Sequence, residues 1–192
     1  MPSTLYHTLY ADPPWMEKGG GWRGAQRHYR LMPTPDIIQV GPRVMPLMAD
    51  NCHLYLWATN THLPDALQVM GAWGFTYMTM ITWVKPSIGL GQYFRGMTEH
   101  CLFGIRGSVP FKMTANGKRL QGETVIFANR KEHSAKPEEM RRIIERVSYP
   151  PFLELFARSH HAGWDVWGDQ VNGIKLASLA GDSIFQFDDV AT

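Results

Sequence analysis

The sequence predicts an α/β fold, a doubly wound sheet with helices on both faces, and three observations carry that prediction. Short β-branched and aromatic runs alternate along the chain with segments of helical periodicity. The first run, residues 7–10, leads into Asp12-Pro13-Pro14-Trp15, where consecutive prolines cannot continue a sheet ladder, so a strand ends at an acid. Beyond Pro137, Met140, Ile143, Ile144 and Val147 fall at i, i+3, i+4 and i+7, the apolar stripe of a helix that packs on a sheet.

Between those landmarks each element has its own signal. Residues 16–32 hold Gly19-Gly20-Gly21, Trp22, Arg23, Gly24, Arg27, His28, Tyr29 and Arg30 with neither helical nor alternating period, which reads as a mobile loop bearing aromatics and positive charge. Thr34-Pro35-Asp36 is a cap with proline at the first helical position, and Gly41-Pro42 is expected to interrupt or end the helix it opens. Residues 53–58 read as a strand, 65–70 as a short helix ended near Gly71 and Gly74, and 75–84 as a second strong strand. The stretch 85–97, with Pro86, three glycines and Arg95, is irregular, and a strand follows at 100–106. Asn116-Gly117 is the strongest short turn signal in the chain and predicts a hairpin whose return strand is 124–127. After the helix at Pro137 come strands at 152–156 and 163–167, joined by a loop that holds Arg158, His160 and His161. No repeat, low-complexity tract or domain boundary interrupts the chain, so 1–192 is expected to be a single domain, with the tail after Gly173 unassigned.

Composition narrows the function classes. The chain has 192 residues, 44% hydrophobic and 19% charged, an ordinary balance for one globular core. At this size folding buries roughly 70% of the unfolded chain's surface, so neither disulfides nor a structural metal is needed. Cys52 and Cys101 are the only cysteines, lie outside any zinc or C-x-x-C spacing, and read as buried hydrophobes of a cytoplasmic protein. The eight histidines include one adjacent pair and no spacing that closes a metal site. No apolar run is long enough to span a membrane, and the N-terminus lacks a signal-peptide pattern. With 19 basic against 17 acidic residues the net charge is only +2, so any nucleic-acid binding must rest on a local patch.

Chemistry is concentrated in Asp12-Pro13-Pro14-Trp15. An ordinary tight turn needs only the prolines. The four residues together offer a carboxylate and a backbone carbonyl on a stiff frame, which can hold both N–H bonds of an exocyclic amine, beside an indole face on which a base can stack. At this motif the sequence resembles the DPPW-motif adenine-N6 methyltransferases (MT-A70-like). The resemblance extends through Tyr29, Ile81-Thr82-Trp83-Val84-Lys85, Glu99-His100-Cys101-Leu102-Phe103-Gly104, Ser134-Ala135-Lys136-Pro137-Glu138-Glu139, Leu153-Glu154-Leu155-Phe156-Ala157-Arg158 and Trp167-Gly168-Asp169-Gln170, in family order from about residue 9 to residue 171.

The resemblance implies a Rossmann-like methyltransferase fold with S-adenosylmethionine as donor. Asp12, Pro13, Pro14 and Trp15 are then the catalytic corner. Lys136 would pair with the donor's carboxylate, and Asp12 would accept from its ammonium and from the target amine. Arg158, His160 and His161 would line the polar end or the ribose, Asp169 and Gln170 would bind the ribose hydroxyls, and Glu154 would help position the arginine or the sugar. Trp15 and Tyr29 would stack on the target base, while Arg23, Arg27 and Arg30, with Lys85 and Arg95, would hold phosphates.

Departures from the family pattern concern charge and length. There is no glycine-rich phosphate loop, consistent with a donor that carries no phosphate. Asp169 and His161 stand where eukaryotic members usually carry asparagine. Only 11 residues precede Asp12, so the contact to the donor's adenine must come from elsewhere, such as the tail. Small members of the family without an added RNA-binding domain imply DNA as substrate, with RNA as the alternative polymer and a homodimer or partner subunit compatible with the resemblance. Rival expectations are a catalytically silent nucleic-acid-binding partner of the same fold and an enzyme acting on small adenine derivatives.

Overall fold

The computed structural model describes residues 5–16, 31–89, 91, 93–130, 135–168 and 171. Seven strands form one mixed sheet: β1 (Tyr6–Ala11), β2 (Met48–Ala58), β3 (Thr76–Val84), β4 (Thr98–Arg106), β5 (Val125–Phe127), β6 (Phe152–Leu155) and β7 (Trp164–Trp167). Their spatial order is β5-β3-β4-β2-β1-β6-β7. From β1 the chain winds outwards first through β2 towards β5, then through β6 to β7. That reversal makes the carboxyl end of β1 the topological switch point, where an open α/β sheet leaves a crevice.

Alternation along the strands sends side chains to two cores. Leu9 and Ala11 of β1, Leu54 and Leu56 of β2, and Leu153 and Leu155 of β6 pack against Ile37, Val40 and Val44 of α1 (Thr34–Val44) and Ala66, Val69 and Met70 of α2 (Leu63–Ala72). On the opposite face Tyr10, Tyr55, Trp57 and Phe152 meet Met140, Ile143 and Ile144 of α3 (Glu138–Val147). The doubly wound α/β fold and the stripe after Pro137 are therefore as expected. Cys52 and Cys101 are both buried and unbridged. Among the described residues no helix is long and apolar enough to cross a membrane.

Two expectations are corrected. Gly41-Pro42 does not stop α1, which continues to Val44. Proline 42 has no N–H to give the carbonyl of Ile38, four residues back. Trp73, just beyond α2, supplies the missing donor: its indole N–H lies 3.2 Å from Ile38 O and 3.3 Å from Ile37 O. The indole reaches those carbonyls because Gly41 has no side chain, and a Cβ there would overlap the ring. In an exposed helix Gly→Ala is stabilising by about 1 kcal/mol. Here Gly41→Ala is expected to destabilise by about 2 kcal/mol through overpacking, read as a lower urea midpoint. A midpoint at or above the parent's would discard this account.

The second correction concerns Asn116-Gly117. These residues do make a tight turn, with Gly117 at φ 73°, Thr114 N–H to Lys118 O at 2.8 Å and Leu120 N–H to Lys112 O at 2.8 Å. The small hairpin closes on itself, however, and 125–127 does not return along β4. Both edges of β4 are occupied, by β2 and by β3, so the strand joins the outer edge of β3 in parallel.

A buried polar cluster ties β2 to the end of α3. His53 Nδ1 and the Tyr55 hydroxyl each lie 2.8 Å from the Ser148 hydroxyl, with the Phe103 ring edge-on to the imidazole at 5.0 Å. Burial pulls the His53 pKa down to about 4, so the folded state keeps a neutral ring that the unfolded chain protonates near pH 6.5. The contribution is fully present above pH 6.5 and is lost as pH falls towards 4. At full protonation it amounts to about 3 kcal/mol. Urea midpoints measured at pH 7 and 4.5 are expected to converge in His53→Gln relative to the parent. An equal pH dependence in both proteins would contradict the assignment.

Candidate active site

Strand β1 delivers Asp12 to the crevice, and the prolines after it make the turn stiff. Trp15 N–H donates to Pro13 O at 2.9 Å, which occupies one lone pair of that carbonyl and leaves the other available. Pro14 O accepts from Met32 N–H at 2.7 Å, and Met16 N–H donates to Met32 O at 3.1 Å. These bonds clamp the two ends of the glycine- and arginine-rich stretch beside the corner. Arg23, Arg27, Tyr29 and Arg30, expected to hold phosphates and the target base, lie outside the described residues, as do Asp169 and Gln170.

Trp15 departs from its expected role. Its ring is only 8% exposed, one face stacks on His62 at 5.6 Å, and its indole N–H donates to Trp57 O at 2.9 Å. His62 in turn sits 3.0 Å from Met16 O and 2.8 Å from the Thr59 hydroxyl. The indole therefore braces the corner against the end of β2 instead of offering an open face to a base.

Four ionised groups run through the crevice. Lys136 Nζ lies 2.7 Å from each carboxylate oxygen of Asp12 and 3.4 Å from Glu99 Oε2. Glu99 is also in direct contact with Lys85. The Trp57 ring lies under Lys136 at 5.5 Å and the Trp83 ring under Lys85 at 4.5 Å. Burial alone would pull the Lys136 pKa down, but the Asp12 and Glu99 carboxylates outweigh it and hold the ammonium above its ordinary value. For Glu99, burial pushes upward while Lys136 and Lys85 prevail, leaving the carboxyl below its usual range. Lys85 is different, because burial dominates and its pKa is lowered despite Glu99.

Lys85 thus fails as a phosphate contact: it is 6% exposed and committed to Glu99. The family resemblance gives Glu99 no role. The signal was available, since antiparallel pairing of the strands on either side of 85–97 places Trp83 opposite Glu99 and Lys85 on the diagonal. Arg95 is exposed, with its Nε donating to Gly89 O at 2.8 Å.

Glu154 is the third correction at the site. One residue inside the carboxyl end of β6, it pairs with Arg141 of α3 at 2.8 Å. The Arg141 guanidinium lies between Tyr10 and Trp164, 5.5 Å and 4.8 Å from their ring centres. The Arg158 charge pushes the Lys136 pKa downward, and the structure brings Asp12, Lys136 and Glu99 into direct contact. His160 is exposed, and His161 Nε2 contacts the Ser159 hydroxyl at 3.0 Å.

The turn after β6 is sharply shaped. Phe156 adopts φ 60°, unusual for a residue with a bulky side chain, and Ala157 N–H donates to Trp167 O at 3.0 Å. A Cβ on Gly168 would overlap the Ala157 carbonyl, so this glycine permits the close backbone approach just after β7. Among the described residues no group of three histidine, cysteine, aspartate or glutamate side chains could hold a metal ion.

Comparison with known proteins places these features in a wider set. The MT-A70 family profile matches residues 6–170. The chain is 28% identical to the type II methyltransferase M.MunI of Mycoplasma sp, over 92% of this chain and 82% of that protein. It is 31% identical to a probable N(6)-adenosine-methyltransferase MT-A70-like of Oryza sativa subsp. japonica, over 89% of this chain but 24% of the plant protein. Against the N(6)-adenosine-methyltransferase catalytic subunit METTL3 of Homo sapiens it is 28% identical over 89% of this chain and 29% of the human protein.

Proposed function

The chain belongs to the MT-A70 family, and from that premise we propose that it transfers a methyl group from S-adenosylmethionine to the N6 amine of adenine in nucleic acid, with DNA as its polymer. The observation that carries the reading is the Asp12–Lys136 pair at the switch point. The amino-acid end of the donor is a zwitterion, and a carboxylate facing an ammonium is the donor set it requires: Lys136 for its carboxylate, Asp12 for its ammonium. With Glu99 and Lys85 the chain of ionised groups holds two carboxylates and two ammoniums. Inserting a zwitterion therefore adds no unbalanced charge to a partly buried crevice. When bound, the donor supplies an electrophilic methyl on sulfonium.

The protein's part is to orient the amine. The N6 lone pair is delocalised into the purine, so the nitrogen must be drawn towards tetrahedral geometry. The Asp12 carboxylate and the remaining lone pair of Pro13 O would accept its two N–H bonds, and both interactions strengthen as positive charge grows on nitrogen, whose surplus proton is released to water while the donor's sulfur is left as a thioether. Trp15 and His62 keep that corner from yielding. Holding the partners at attack distance lowers the barrier by several kcal/mol without a covalent nucleophile. Asp169-Gln170, Arg158 and the histidines after β6 are assigned to the donor's sugar and polar end. Arg23, Arg27 and Arg30, with Arg95, are assigned to phosphates. The choice of DNA rests on kinship with M.MunI, 82% of whose length this chain matches.

Incubation with labelled S-adenosylmethionine and either bulk unmethylated DNA or RNA, followed by digestion and chromatography, tests the proposal. N6-methyladenine in DNA is expected. Label in RNA alone would replace the polymer. Faster labelling of free adenosine would select a small-molecule enzyme, and donor binding without transfer would select a silent partner subunit.

A further inference from the structure

The connection between β3 and β4 carries an aromatic pair that the fold does not use. Tyr93 is 93% exposed and Phe94 is 90% exposed, more than any other aromatic among the described residues. Five of the six described tryptophans, by contrast, are buried, and the sixth, Trp167, is half-buried. Single exposed apolar residues are ordinary, but two consecutive rings held almost wholly in water call for an occupant. They stand on an anchored stem. Lys85 N–H donates to Met97 O at 2.7 Å, Gly89 N–H to Gly96 O at 2.8 Å, and the Arg95 side chain to Gly89 O at 2.8 Å. A Cβ on Gly89 would overlap the Gly96 carbonyl, so the two arms of the stem run in close contact.

The foot of the stem is the active site itself. Lys85 begins the connection, and Glu99 follows it on β4, both joined to the ionised chain that ends at Asp12. We infer that Tyr93 and Phe94 form a wedge that enters the base stack of duplex DNA and fills the space left when the target adenine turns out towards Asp12. The inference rests on the methyltransferase reading and adds that the substrate is double-stranded.

Three observations favour this occupant over a protein partner. The pair is flanked by Gly91, Gly96 and the cationic Arg95, and the other large exposed apolar side chain among the described residues of the connection is Ile88, which falls short of the contiguous apolar surface that a protein interface of ~800 Å² per partner requires. Arg95 is exposed immediately beside the rings, where a phosphate would lie. Trp15, the aromatic residue of the corner, is buried against His62 and cannot occupy the vacated stack. Flat rings on a short anchored arm can replace base stacking lost on extrusion, a task that apolar side chains perform in proteins that unstack DNA.

Bulk unmethylated DNA, native or heat-denatured, distinguishes the roles without knowledge of a recognition sequence. In Tyr93→Ala/Phe94→Ala, methyl transfer to native DNA is expected to fall about tenfold or more, because the duplex must be opened without a wedge, while transfer to denatured DNA stays within about twofold. The ring-preserving Tyr93→Phe/Phe94→Tyr should retain native-DNA activity. Equal losses on the two forms, no loss on native DNA, or a parent active only on denatured DNA would overturn the wedge. So would a sedimentation change from dimer to monomer in the alanine variant, which would make the pair a subunit contact. If the parent binds donor but methylates neither form, the methyltransferase reading itself fails, and the wedge with it.

Discussion

Asp12→Asn is expected to slow methyl transfer by roughly 10²–10³-fold, the loss typical of removing one preorganised partner of a developing charge. The substitution keeps the shape of the side chain but replaces a carboxylate that faces Lys136 at 2.7 Å by a neutral amide. One of its atoms is then a donor and repels the N–H of the target amine. Asp12→Ala should cost at least as much, since it also empties the corner. The measurement is single-turnover transfer to DNA at saturating donor, with DNA binding followed separately. DNA affinity should change far less than the rate, because phosphate contacts lie on other residues. A variant as fast as the parent would remove the corner from the chemistry.

Lys136→Met should produce a large stability loss together with a sharp loss of donor affinity. Its side chain is 14% exposed and lies between two carboxylates. Removing it leaves Asp12 and Glu99 facing each other with Lys85 as the remaining ammonium in contact, and breaking a buried pair in this way costs roughly 3 kcal/mol. The sign of the pH dependence follows from Glu99. In the parent its carboxyl is held below its ordinary range, so its contribution is present above the unfolded carboxylate range and is lost as pH falls through the folded value. Without Lys136 burial prevails and the carboxyl moves up, so protonation relieves the variant. The stability deficit relative to the parent is therefore expected to shrink between pH 8 and pH 5, as read from urea midpoints. Lys136→Met/Glu99→Gln should recover part of the loss. A deficit that grows on acidification would show that Glu99 does not depend on Lys136.

Much of this architecture was legible in the linear pattern. The strand ending at Asp12, the helix after Pro137 and the closing pair of strands were marked by periodicity and by prolines, which act locally. Lys136, which the family resemblance gives to the donor, lies against Asp12 at the switch point. What escaped the reading involved partners distant in the chain. A Gly-Pro pair signals a helix stop, yet Trp73 from beyond the next helix satisfies the carbonyl that Pro42 strands. A turn signal at Asn116-Gly117 specifies a bend but not the edge on which the next strand will pair. Lys85 and Trp15 carry side-chain types suited to phosphate and base, and burial turned both to other uses.

The sequence by itself determined where acid, proline, lysine and aromatic side chains stand along the chain, which strands and helices carry them, and through those motifs the family. These properties depend on near neighbours, with periods of two and 3.6 residues. Only the tertiary structure decided which charges face one another, which rings are spent on packing and which stay in water. Those outcomes depend on strand order and desolvation, which join Asp12, Glu99 and Lys136 at 2.7 to 3.4 Å and leave Tyr93-Phe94 standing beyond them.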